Sequence, residues 1–363
     1  MHIPHKGLTG FQVCAIVTLS VIGISVMFIP QRATHSSGVD GVLVTFIAGI
    51  LSIVLAGMII LVSNQFPNKT IIEYSRQILG KHLGFMYDAI FVVYTLLASS
   101  YVLRGFADVI KIVLLPRTPL EVIMISMLLL ILYCVQGGIA VIARICELFI
   151  IPILLVIFFT MFFNISEVEL YRYRDTLSNG FDPILKGVTS VTISYLGYEI
   201  LFFLIPFMYN KKKALISGLA GMISPIIVYT GLVFLSIGII GALPTSELIY
   251  PTIHLARQIG VQFIERFDIF FIVFWILAVF TNLIVYIYMA AISLTRILHL
   301  RNYKPFISIL IPVCYIIAIL PQNVVQINLL ADMVNYGGIF IVLSSVPLLA
   351  LALLRKKGGR GSA

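Results

Sequence analysis

The sequence predicts an all-α polytopic membrane protein of about ten transmembrane helices. They form two five-span halves of opposite orientation, with the first and sixth helices broken. Three observations lead there. First, 60% of the 363 residues are hydrophobic and only 11% are charged, against about 25% charged in an ordinary soluble domain. Second, apolar runs long enough to cross a bilayer recur along the whole chain. Third, the first and sixth runs share a mid-span glycine followed by a proline. A water-soluble fold has too few charges here to cover its outside. This excludes a soluble enzyme, a nucleic-acid-binding module and a disordered tail.

The runs follow in order. The first extends from about Phe11 to Pro30, the second from Gly41 to Val62 and the third from Gly84 to Leu115. The fourth covers Pro119 to Val135 and the fifth Gly138 to Phe163. A polar stretch, Asn164 to Pro183, divides the chain near its middle. The sixth runs from Ile184 to Met208, the seventh from Ala214 to Gly241 and the eighth from Ile269 to Leu298. The ninth covers Pro305 to Leu320 and the tenth Ile327 to Leu354. One transmembrane domain over 1–363 is expected, with repeats at about 11–163 and 184–354. The first run is long enough to span and no A-x-A site follows it, so no cleavable signal is expected.

Two connecting segments carry patterns of their own. Thr70-x-x-Glu73 is a capping-box spacing ahead of Ile71, Ile72, Ile78 and Leu79, which predicts a short amphipathic helix on the cytoplasmic face. The stretch from Ala242 to Asp268, punctuated by Pro244 and Pro251, predicts a helical lid on the pore mouth rather than a span, with a plain connecting loop as the alternative.

The net charge of +9 reads as membrane topology, not nucleic-acid binding. With the N-terminus inside, Lys6, Lys69, Arg76, Lys81, Arg144, Lys211 to Lys213, Arg296, Arg301, Lys304 and the tail cations Arg355, Lys356, Lys357 and Arg360 are cytoplasmic. Arg32, Arg117, Arg172, Arg174, Lys186, Arg257 and Arg266 then fall outside. That asymmetry places both termini in the cytoplasm. The cysteines Cys14, Cys134, Cys146 and Cys314 all lie in apolar stretches without metal spacing, and are expected to be reduced packing residues.

The breaks point to a binding site. The first run reads Val21-Ile22-Gly23-Ile24-Ser25 and reaches Pro30; the sixth reads Ser194-Tyr195-Leu196-Gly197-Tyr198-Glu199 and reaches Pro206. Unwound backbone in hydrocarbon survives only beside a cavity or inside protein. A break frees N–H groups at one half-helix end, where a carboxylate can sit, and carbonyls at the other, where an ammonium or cation can sit. Two breaks side by side therefore suit a zwitterion near mid-membrane. Glu199 has two readings. It binds a ligand ammonium, takes a proton or pins a gate; or it accepts hydrogen bonds from the freed backbone. Bulky substitution at Gly23 or Gly197 is expected to abolish ligand response while leaving protein levels intact. Arg104, Asp108 and Lys111 share one face of the third run and read as an ion-pair ladder. Arg144 and Glu147 read as a structural pair.

The chain resembles the B-subunit permeases of spore germination nutrient receptors, within the amino acid–polyamine–organocation (APC) superfamily, over nearly its whole length. The resemblance rests on Tyr195-Leu196-Gly197-Tyr198-Glu199 with Pro206 and the Lys211 to Lys213 run. It rests also on Leu114-Leu115-Pro116-Arg117-Thr118-Pro119, Pro251-Thr252-Ile253 and Phe263-Ile264-Glu265-Arg266-Phe267. Ser25 stands where the superfamily often has the second glycine of a Gly-x-Gly break. The resemblance implies a LeuT-like fold whose third and eighth helices complete the pocket. That brings in Tyr94 and Ala98 on the third run. It brings in Thr281 and Asn282 on the eighth, either as ligand contacts or as interhelical hydrogen-bonding groups. The candidate ligand-binding set is thus Gly23, Ile24, Ser25, Tyr94, Ala98, Ser194, Tyr195, Leu196, Gly197, Glu199, Thr281 and Asn282.

The resemblance further implies a nutrient sensor, with an amino acid as the expected ligand, acting with A-type and C-type receptor subunits in the spore inner membrane. A proton-coupled amino acid transporter is the alternative. No H-E-x-x-H, G-x-S-x-G or P-loop occurs, and the six histidines form no cluster, so no enzymatic activity, cofactor or metal is expected.

Overall fold

The computed structural model describes residues 7–178, 180–259 and 266–354. The cations Lys6, Arg355, Lys356, Lys357 and Arg360, and the residues Phe263 to Glu265, lie outside the described residues. Among the described residues there is no strand, only an isolated bridge between Leu8 and Met208. That bridge ties the segment before the first helix to the end of the sixth span, through Leu8 N–H to Phe207 O (2.8 Å) and Tyr209 N–H to Leu8 O (3.0 Å).

The first predicted span is two helices, α1 (Gly10–Ile22) and α2 (Ser25–Ser37). Thr9 and Gln12 form a capping box that starts α1. The helix continues past Pro30, where the sequence predicted its end. Proline lacks the N–H that would bond the carbonyl of Val26. The Thr252 hydroxyl donates to that carbonyl instead, at 2.7 Å. Pro225 poses the same problem inside α10 (Ala214–Ile239), and Thr18 donates to the freed Gly221 carbonyl at 2.8 Å.

The second span is α3 (Gly41–Gln65). The predicted amphipathic helix is α4 (Ile71–Leu79), and its Thr70–Glu73 capping box forms. It packs against the third span, α5 (Lys81–Val113), burying Ile71, Ile72, Tyr74 and Ile78. Ion pairs fasten it: Arg76 to Asp88 at 2.7 Å, and Arg296 to Glu73. Then come α6 (Leu120–Val135) and α7 (Ile139–Asn164). The sixth span is α8 (Asp182–Thr192), a pair of tight turns around Leu196 and Gly197, and α9 (Leu201–Leu204), bent by 56° overall.

After α10, the predicted lid holds α11 (Ala242–Glu247) and α12 (Pro251–Arg257), both packed on α2. The remaining helices are α13 (Phe267–Ile297), α14 (Lys304–Ile319), α15 (Val324–Leu343) and α16 (Ser345–Leu354). The predicted tenth span is therefore interrupted at Ser344.

Among the described residues, six helical runs are long and apolar enough to cross a membrane, or seven with the bent pair counted as one. Three shorter apolar helices, α1, α6 and α14, have 13, 16 and 16 residues, short of the roughly 20 a span needs. The broken helices sit centrally: α1 packs against α7, α10 and α13, and α3 packs against α8 and α10. The expected Arg104–Asp108 pair forms at 3.0 Å, and Arg104 also donates to the Ala318 and Pro321 carbonyls. The expected Arg144–Glu147 pair is not among the ion pairs of the described residues. Glu147 instead accepts from Gln12 of α1 at 2.9 Å, because α1 lies directly against α7.

Candidate functional site

The first helix stops at Gly23, and its orphaned carbonyls go to side chains of neighbouring helices. Ser20 O accepts from the Asn282 amide, Val21 O from the Tyr229 hydroxyl at 2.7 Å, and Gly23 O from the Trp275 indole at 3.2 Å. Three donors from α10 and α13 thus cap a helix end that would otherwise leave bare acceptors in a buried setting.

At the second break Gly197 has φ +132°, a conformation L side chains rarely adopt. A Cβ added there would lie 2.2 Å from the Ser20 carbonyl oxygen. The two breaks therefore meet backbone to backbone, and glycine is what permits the approach. Glu199, fully buried, turns back on its own half-helix. Its Oε2 accepts the Gly197 N–H at 2.7 Å, while Oε1 accepts the hydroxyls of Tyr94 (2.6 Å) and Tyr286 (2.8 Å). A carboxyl at a helix N-terminus complements both the free N–H groups and the dipole. Glu199 thus occupies the place the sequence reserved for a ligand carboxylate.

Beside the breaks lies a cavity of about 60 Å³. Ser20, Ile24, Ser25, Phe28 and Arg32 face it from α1, α2 and the break between them. Tyr94, Ala98 and Tyr101 face it from α5, Ser194 and Leu196 from the sixth span. Asn282 and Tyr286 close it from α13, and Asn335 from α15.

Of the twelve candidate residues, Ile24, Ser25, Tyr94, Ala98, Ser194, Leu196 and Asn282 line this cavity. The other five are placed elsewhere. Gly23 and Gly197 shape the breaks. Glu199 is enclosed behind Tyr94 and Tyr286. Tyr195 donates to the Thr45 carbonyl at 3.0 Å, tying the sixth span to α3. Thr281 donates to the Ala278 carbonyl within its own helix at 2.8 Å and does not line the cavity. Sequence reasoning missed Arg32, Tyr286 and Asn335. Tyr286 lies four residues, about one helical turn, beyond Asn282, which was a readable signal. Arg32 was hidden because Pro30 suggested the helix had ended.

These features define a polytopic membrane protein with a transporter architecture. The fold is similar to that of MHP1, a nucleobase-cation-symport-1 family transporter solved in a closed conformation with bromovinylhydantoin bound. The TM-score is 0.65 over 93% of this chain and 78% of that one, at 14% identity. A family model described as "Spore germination protein" matches residues 7–327, and the chain belongs to that spore germination permease family, which is not a family of enzymes. Spore germination protein YndE of Bacillus subtilis (strain 168) is 30% identical, with 99% of each chain covered. Spore germination protein A2 of the same organism is 29% identical over 96% of each, and spore germination protein B2 is 25% identical over 98% of each.

Proposed function

We propose that this protein is the nutrient-sensing membrane subunit of a spore germination receptor. It binds an amino acid or similar small nutrient in the cavity beside the paired breaks. The ligand favours one conformation over another, and the shift passes to A-type and C-type partner subunits. In this reading the chain sits in the spore inner membrane with both termini cytoplasmic, as one transmembrane domain of two repeats (about 11–163 and 184–354).

The observation that carries the proposal is a polar-walled cavity where two broken helices meet, in a chain of the germination family. Its size, room for about five water molecules, suits a compact solute. The fold's likeness to a symporter favours proton-coupled amino acid transport as the second reading.

The test fills the cavity. Ala98→Phe places a ring in it from α5. Spores carrying that variant with the A-type and C-type subunits should lose the germination response to a panel of amino acids and sugars, at unchanged protein level. An unaltered dose response overturns the proposal. Uptake of labelled amino acid by the purified protein in liposomes under a proton gradient separates the transporter, which accumulates it, from the sensor, which binds without accumulation.

A further inference from the structure

Each of three other arginines in the bundle, Arg76, Arg104 and Arg296, meets a carboxylate, in Asp88, Asp108 and Glu73 respectively. Arg32 differs. It is half-buried on α2 and faces the cavity. Among the described residues it has no carboxylate within 4.0 Å, and its hydrogen-bond partner is a neutral hydroxyl, Ser194 Oγ, at 2.9 Å. A guanidinium carries five N–H donors in a fork that matches a carboxylate.

A second observation comes from the cavity wall formed by α1 and α13. Asn282 Oδ1 and Ser20 Oγ are buried there without a hydrogen-bond partner, although the Asn282 amide nitrogen is already used on Ser20 O. Buried acceptors without donors are costly. Arg32 therefore faces the cavity as an unspent cation, and the wall beside it holds two unpartnered polar atoms, while Glu199 closes off the helix end that would otherwise take an anion.

We infer that Arg32, assisted by Ser194, is the anchor for the ligand's carboxylate, with the ammonium turned towards the wall that holds Asn282 and Ser20. The inference rests on the nutrient-binding reading above and deepens it. The ligand class is a free α-amino acid with a small side chain, carboxylate towards α2 and ammonium towards the breaks. The bonds that hold it come from side chains, not from the exposed helix dipoles.

The experiment measures binding to the purified full chain in detergent. The probes are glycine, L-alanine, L-serine and L-valine, the amide of each, and glucose as a neutral control. At least one amino acid should bind, and its amide should bind at least tenfold more weakly. Arg32→Gln should weaken the amino acid at least tenfold and so shrink the preference for acid over amide, and Arg32→Lys should recover part of the loss. The wild-type comparison of acid with amide decides the matter even if Arg32→Gln fails to fold, which its unliganded melting temperature reports. Equal binding of acid and amide overturns the inference. So does an amino acid affinity indifferent to Arg32→Gln, or binding of glucose and no amino acid. Those results leave the germinant sensor standing, which the Ala98→Phe spores test separately.

Discussion

The two breaks begin from the same sequence signal and end in different chemistry. At Gly23 the problem is unpaired carbonyls, and the solution is borrowed. Donors from α10 and α13 reach across to Ser20, Val21 and Gly23. At Gly197 the problem is an unpaired N–H, and the solution is local. Glu199, two residues on, accepts it and is then held by two tyrosines. The first break is thus a joint between helices, adjustable by side chains. The second is a fixed point with a buried carboxyl group at its centre. A glycine in a membrane helix marks where the backbone comes close to something; only the partner tells whether that something yields.

This contrast predicts its largest effect at Gly197. An alanine there would combine a left-handed φ with a Cβ 2.2 Å from the Ser20 carbonyl oxygen, and backbone cannot step aside. Strain of about 1–3 kcal/mol and overpacking of about 1–3 kcal/mol should together leave little folded protein. Size-exclusion yield and the melting temperature of Gly197→Ala in detergent check this. The expectation that a bulky residue here spares protein levels therefore changes: the loss should reach folding itself. A yield and melting temperature equal to the wild type would dissolve the distinction between the two breaks.

The second effect is at Glu199. Glu199→Gln keeps the shape but replaces one acceptor oxygen with a donor, facing either the Gly197 N–H or the two tyrosine hydroxyls. One group at least loses its acceptor. A buried polar group left without its partner costs about 1–3 kcal/mol, so the melting temperature should fall clearly, though less than for Gly197→Ala. A variant as stable as the wild type would show that the carboxylate is not what closes the sixth break.

Much of this was legible beforehand, for physical reasons. Membrane spans announce themselves because hydrocarbon demands length and apolarity together. The α4 capping box was readable because it is local in sequence. The breaks were readable because glycine and proline act on their own backbone. What stayed hidden was long-range: Glu199 meeting Tyr94 and Tyr286, Glu147 choosing Gln12 over Arg144, and Thr252 covering the carbonyl that Pro30 leaves free. Each of these is a side chain answering a vacancy on another helix. Sequence shows the vacancy and not the answer. The same limit turned Arg32 into a loop cation: with Pro30 read as a stop, nothing placed it beside Ser194, more than 160 positions away.

The smallest effect should come at Gly23, and it tests the comparison from the yielding side. A Cβ there would meet the Asn282 amide at 2.8 Å, a side chain rather than a backbone atom. Asn282 can rotate away, but only by releasing the Ser20 carbonyl it caps. Gly23→Ala should therefore cost about 1–2 kcal/mol, in the lower range of overpacking. The cost should depend on Asn282. With Asn282→Ala already in place, the two closest contacts are gone, only the Cβ at 3.3 Å remains and the carbonyl is already uncapped, so adding Gly23→Ala should cost less than it does in the wild type. A double-mutant cycle on melting free energies reads this coupling directly. Additive costs would mean the first break is held by its own backbone after all, as rigid as the second.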